Sequence, residues 1–191
     1  MRKLLFPPLL LFLALIVQSG QLSAQRESTL LGDLDLTGAW GGVTYNYSAL
    51  GDDGAYIRGG YGGLEFGNQI FIGYGGWRIK DDVRLTDIGR NFELRHGGLI
   101  TAYTPNSYKS IHPRLSFTIG PGRVEVDGQR DRVFVAQPAA GVELNLFQVF
   151  RLGIEGGYRY VGNVALDDVD IASEDVSSFF LQIEARFGFS W

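Results

Sequence analysis

The chain has 191 residues and a formal charge of −4, with 27 glycines, 13% aromatic residues and no cysteine. The acidic balance argues against nucleic acid as a partner, and the missing thiols exclude disulfides and a lipoprotein anchor on an N-terminal cysteine. Beyond the N-terminus no segment approaches the roughly 18 apolar residues of a membrane-spanning helix.

Arg2 and Lys3 precede an apolar run from Leu4 to Val17, and the small, polar stretch QSGQLSAQ follows it. That is the layout of a secretory signal peptide, with cleavage expected after Ala24. Pro7-Pro8 interrupts the run, which is too short to span a membrane well, so an uncleaved anchor is disfavoured. Residues 1–24 read as the signal peptide, 25–33 as a short lead and 34–191 as one domain. Cleavage removes two cations and takes the formal charge to −6.

Four segments of the first half read as strands from their aromatic and branched content. They are TGAWGGVTYNY, AYIRGGYGGLEF, QIFIGYGGWRI and FELRHGGLITAY. Gly-Gly pairs interrupt each of them, at 41-42, 59-60, 62-63, 75-76 and 97-98. Paired glycines weaken a strand but permit sharp coiling or close packing against a bulky neighbour.

The second half is cleaner. RLSFTIG sets Leu115, Phe117 and Ile119 opposite Ser116 and Thr118, and AAGVELNLF sets Val142, Leu144 and Leu146 opposite Glu143 and Asn145. In FRLGIEGGYRY the apolar set is Phe150, Leu152, Ile154, Tyr158 and Tyr160, with Arg151, Glu155 and Arg159 pointing the other way. The last segment, SSFFLQIEARFGFSW, alternates through Phe179, Leu181, Ile183, Ala185, Phe187 and Phe189 to a terminal Trp191. Eight strands with period-2 patterning result.

Their connections alternate in length. The second, fourth and sixth are short, whereas those near 80–91, 121–132 and 163–177 are long and charged. Alternate connections of an up-and-down sheet lie on the same side, so one side carries tight turns and the other long polar loops. No helical pattern long enough for a crossover is present, which excludes βαβ units. Closing such a sheet removes its edges, and the expected fold is all-β, an eight-stranded antiparallel up-and-down barrel.

A soluble carrier barrel turns its apolar face inward around a ligand, and a transmembrane barrel turns it outward to lipid. The polar face of the last three strands carries Glu143, Arg151, Glu155, Arg159, Glu184 and Arg186, three acids against three bases. Lys80 and Lys109 are the only lysines after the signal peptide, and both fall in connections. Balanced carboxylates and guanidinium forks suit a narrow, dry interior, where charges must be paired. Tyr158, Tyr160, Phe187, Phe189 and Trp191 near strand ends suit aromatic girdles at two membrane interfaces. The transmembrane barrel is therefore favoured.

With its signal peptide, amphipathic strands, alternating connections and C-terminal RFGFSW, the chain resembles the OmpA/OmpX-type small outer-membrane β-barrels. The resemblance covers residues from about Leu34 to Trp191. It implies a cell outer-membrane location, tight turns in the periplasm and long loops outside. It also implies that Phe187, Phe189 and Trp191 form the signal read by the outer-membrane assembly machinery.

Chemistry is harder to find. An eight-stranded barrel holds little more than its own side chains, which excludes a wide pore. His96 and His112 are the only histidines, and neither RHGG nor SIHPR resembles the serine-histidine pairing of outer-membrane lipid deacylases. No phosphate-loop, zinc-protease or EF-hand pattern occurs. Asp167, Asp168, Asp170, Glu174 and Asp175 offer oxygen ligands to calcium, but a solvated acidic loop explains them as well. No catalytic, cofactor or metal residues are assigned. The expected function is non-enzymatic: a monomeric barrel in outer-membrane lipid with a structural, adhesive or envelope-maintenance role through its loops. The alternatives are a soluble periplasmic barrel for a small apolar ligand and, less favoured, a lipid-modifying enzyme. The sequence names no loop partner.

Overall fold

The computed structural model describes residues 35–49, 54–79, 83–85, 90–126, 129–162 and 176–191. The expected signal peptide, the lead and the acidic group from Asp167 to Asp175 lie outside the described residues.

Nine strands are described: β1 Leu36–Ser48, β2 Ala55–Phe66, β3 Ile70–Ile79, β4 Val83–Leu85, β5 Arg90–Tyr103, β6 Ile111–Val126, β7 Gln129–Phe147, β8 Phe150–Gly162 and β9 Ser178–Ser190. Each long strand pairs antiparallel with its neighbour along the chain, β1 pairs with β9, and β3 pairs with β5. Eight long strands thus close on themselves, and no long sheet edge is left unpaired. The short β4 pairs only with the start of β5, through Val83↔Phe92 and Leu85↔Arg90.

The connections at one end are short. Gly67 and Asn68 take positive φ angles of 56° and 58°, and the Gln69 amide donates to the Phe66 carbonyl at 3.1 Å. Two consecutive left-handed residues make a type I′ turn, whose twist matches that of the flanking strands. The opposite end holds the long connections, with two corrections: within 80–91, expected to be a loop, Val83–Leu85 is strand β4 and pairs with the first residues of β5. The segment 121–132, expected to be a polar loop, is instead the continuation of β6 and β7, paired through Arg123↔Arg132 and Val126↔Gln129. Its charges hid a surviving alternation, in which Val124, Val133 and Val135 are buried. The connection itself shrinks to Asp127-Gly128, a residue pair that favours tight hairpins.

The outer surface is apolar. Val43, Leu64, Ile72, Leu99, Leu115, Val142, Ile154, Leu181 and Ile183 all project from it. Aromatic residues gather toward both ends: Tyr45, Tyr47, Tyr56, Tyr158, Tyr160 and Phe179 near the long connections, and Tyr103, Phe147, Phe187, Phe189 and Trp191 near the turns. At about 3.3 Å per residue, Phe179 to Trp191 covers about 40 Å along a strand, or about 30 Å for a strand tilted by about 40°. That matches the height of a bilayer's hydrocarbon core.

The terminal strand is held along both of its edges, β1 on one side and β8 on the other. The Trp191 amide still donates to the Thr37 carbonyl at 2.9 Å. A free edge would fray, but β9 is paired on both sides as far as Phe187 and on the β1 side to its end, so the alternation serves a purpose to the last residue.

Candidate functional site

The interior has two halves. Under β1, β2, β3 and β5 lies an aromatic cluster of Trp40, Tyr61, Phe71 and Trp77, joined by Ile57 and Ile100. The Gly-Gly pairs explain how it fits. In the pairs of β1, β2 and β3 one glycine lies beneath a ring: a Cβ on Gly42 would overlap the Tyr61 ring, and one on Gly59 the Trp77 indole, whereas Gly98 of β5 packs on the β6 backbone at Ile119 and Gly120. Two of the three tryptophans thus point into the barrel rather than to its outside. Trp77 Nε1 donates to Thr44 Oγ1 at 3.1 Å, and the indole stacks on His96 at 5.1 Å between centroids.

The other half is charged. Among the described residues the buried ionisable groups include Glu65, Glu143, Glu155 and Glu184 against Arg114, Arg151, Arg159 and Arg186, with the two histidines. Glu143 is the hub. Its Oε2 accepts from Arg186 Nη1 at 2.6 Å and lies 3.8 Å from Arg114 Nη1. Its Oε1 lies 3.1 Å from His112 Nε2 and 3.5 Å from Arg151 Nη1. Arg114 bridges the remaining carboxylates, with Nε 2.9 Å from Glu155 Oε1 and Nη2 3.5 Å from Glu184 Oε1. Arg151 also donates to Glu65 Oε2 at 2.9 Å, and the other oxygen of Glu65 accepts from Ser190 Oγ at 3.0 Å.

Of the six residues singled out by alternation, five are drawn into this cluster. Arg159 is not. It lies nearer the long connections, donating to Ser48 Oγ at 2.7 Å and Asn46 Oδ1 at 3.3 Å. The Gln137 amide bridges it to His96: with its nitrogen 3.1 Å from His96 Nε2, its oxygen accepts from Arg159 Nε and Nη2, each at 3.1 Å. Two cluster members escaped the sequence reading, Glu65 and Arg114. Both carried a signal, since each is adjacent to an outward leucine, Leu64 and Leu115, and period 2 then turns them inward.

The two halves meet through the arginines. The Arg151 guanidinium stands 3.9 Å from the centre of the Trp40 ring, and that of Arg186 5.1 Å from Phe71. Such contacts add to the ion pairs, because a ring face attracts a desolvated cation.

This arrangement binds charges to one another rather than to a substrate. His112 is fully buried, its Nδ1 against the Lys109 carbonyl at 2.9 Å and its Nε2 on Glu143, with no hydroxyl partner among the described residues. A small cavity around Ser116, Thr118, Gln137 and Glu155 has a volume of about 10 Å³, about one water-sized probe.

No protein-family model matches the sequence, and no curated protein matches it. Solved structures do resemble it. The N-terminal β-barrel domain of Pseudomonas aeruginosa OprF superposes with a TM-score of 0.57 at 13% identity, covering 80% of this chain and 97% of that one. Neisserial surface protein A gives a TM-score of 0.57 at 14% identity, covering 83% and 99%. With its eight long antiparallel strands, closed register, charged interior and apolar exterior, the chain has the fold of the small eight-stranded outer-membrane β-barrels.

Proposed function

We propose that this protein is a non-enzymatic, monomeric barrel of the cell outer membrane that acts through its long connections in a structural, adhesive or envelope-maintenance role. The observation that carries this reading is the inverted polarity of the fold. Large apolar side chains cover the outside, while four glutamates and four arginines are buried within. A soluble carrier needs the reverse, with an apolar cavity inside. Here the interior is filled: seven of these eight charged groups join one ion-paired cluster, and Arg159 is held by neutral Ser48, Asn46 and Gln137.

Two measurements test it. The protein should remain with the outer membrane through a carbonate wash, and a soluble carrier would wash off. On gels its folded form should migrate apart from its boiled form, since a closed barrel resists unfolding in SDS.

The direction of insertion is a separate expectation. The absence of cysteine makes Asp127→Cys a clean probe of the hairpin between β6 and β7. A membrane-impermeant maleimide should label it on intact cells. Labelling that requires a permeabilised outer membrane would reverse the topology.

Phe187, Phe189 and Trp191 are proposed as the assembly signal. Their side chains lie on the outer face of β9. Deleting Trp191 removes one backbone hydrogen bond to Thr37 and an interfacial indole. It should therefore affect refolding into detergent only slightly, yet markedly reduce the amount inserted in cells. Equal outer-membrane yields from the full-length and shortened chains would count against the signal.

A further inference from the structure

Near the long connections, the outside of the barrel carries five arginines on one rung. Arg58 lies directly across from Arg78, Arg78 from Arg95, Arg95 from Arg123, and Arg123 from Arg132. One guanidinium thus projects from each of β2, β3, β5, β6 and β7, and all five residues are exposed. Opposed side chains on antiparallel neighbours sit about 4.5–5.5 Å apart at Cβ, and like charges there repel. Arg95 reaches Glu93 at 2.9 Å, but among the described residues no carboxylate forms an ion pair with Arg58, Arg78, Arg123 or Arg132. The rung is level with Tyr45, which lies across from Arg58 in the aromatic belt nearest the long connections.

The next outward rung toward the middle of the barrel is nearly bare. Gly60, Gly76 and Gly97 are cross-strand neighbours there. A Cβ on Gly76 would come no nearer than 3.8 Å to its surroundings, and one on Gly62, a rung further, would meet nothing within 4 Å. Gly60 and Gly97 sit closer to backbone, 3.2 Å from the Gly42 carbonyl oxygen and 3.0 Å from that of Gly75, but no side chain of the interior fills the space over Gly62 and Gly76. These glycines hollow the surface instead. A concavity of about 730 Å³ lies over Gly60 and Gly76 beneath Arg58, Arg78 and Arg95. Another of about 460 Å³ lies over Gly97 and Pro121 beneath Arg95, Arg123 and Arg132.

A row of cations at the interface above an apolar trench has the polarity of one kind of molecule. We propose that this face binds a phosphorylated, anionic lipid of the leaflet on the long-connection side. The guanidinium groups hold phosphate oxygens, whose geometry their forks match, and an acyl chain lies over the glycines. An anion between opposed arginines turns four repulsive pairs into shared attraction. The site rests on the membrane reading above, because a trench of this kind faces lipid only if the barrel is inserted.

The test separates the two claims. Purified protein is refolded into phosphatidylcholine nanodiscs, and failure to insert would count against the membrane reading itself. Dioleoyl phosphatidic acid is then included as a minor lipid, and the lipids retained by the inserted protein are counted by native mass spectrometry. Phosphatidic acid should be enriched over its bulk share by roughly tenfold, and the Arg78→Gln, Arg95→Gln, Arg123→Gln triple variant should lose that enrichment. The triple variant relieves repulsion, so its urea midpoint in phosphatidylcholine alone should be unchanged or higher. Gly76→Leu fills the trench and leaves the arginines in place. It should weaken retention of the dioleoyl lipid but not of a dihexanoyl analogue. Retention at the bulk share by inserted wild-type protein, or equal enrichment by the triple variant, overturns the proposal. Displacement by inorganic phosphate as readily as by the short-chain lipid would make it a phosphate site and not a lipid site.

Discussion

Replacing Glu143 by Gln is expected to destabilise the folded barrel by about 3–5 kcal/mol, the cost of breaking a buried ion pair from one side. The substitution keeps the shape of the side chain and removes only its charge. Arg186 then loses its 2.6 Å partner and retains only Glu184, at 3.7 Å. Arg114 and Arg151 lose a secondary partner each but keep Glu155 and Glu65. The lumen is left with a net positive charge in a medium that solvates it poorly. Removing both members should be much milder: in Glu143→Leu with Arg186→Leu the charges balance again, and apolar replacement of a buried pair is often neutral. Urea midpoints of the purified barrel decide the matter. Equal midpoints for wild type and Glu143→Gln would mean that the cluster is solvated rather than sealed.

Within the single stretch Gly59-Gly60-Tyr61-Gly62-Gly63, substitutions should have opposite signs depending on the face. Gly59→Val is expected to cost about 1–3 kcal/mol, the usual penalty for overfilling a packed interior. Its Cβ would occupy the position of the Trp77 indole, and that ring cannot easily retreat. It is fixed by the hydrogen bond to Thr44 and by the stack on His96. Gly62→Ala, with open space around the new methyl, should be neutral or stabilise by about 0.4–1 kcal/mol through the lost freedom of the unfolded chain. Denaturant midpoints of the two variants measured side by side provide the test. A stable Gly59→Val protein with an unchanged Trp77 environment would show that the aromatic half of the lumen is loosely packed.

Which face each strand shows is legible in the chain alone. Period-2 alternation is a local property, so Arg151, Glu155 and Arg159 could be set against Ile154 and Tyr158 without knowing any neighbour. The same rule reached the closing strand, where Phe179 to Trp191 are exposed on alternate residues and Gln182, Glu184 and Arg186 are buried. It was blurred where glycine replaced a side chain, because an absent Cβ gives no sign of its direction. That is why the inward Trp40 and Trp77 are not separable from the outward Trp191 until the structure places their indoles over Gly188 and Gly59. It was blurred again at 121–132, where charged residues on an extended hairpin resemble a loop.

Which side chains meet is a property of the closed sheet. Alternation fixes a face but not a register, and register depends on turn geometry and on closure of the sheet. Arg186 and Glu143 stand 43 residues apart, and Arg151 and Glu65 86 apart. Nothing in either segment alone names the other. The outer arginine rung has the same origin. Arg58, Arg78, Arg95, Arg123 and Arg132 are isolated residues in five segments, and they become one row only because cross-strand pairing brings them level.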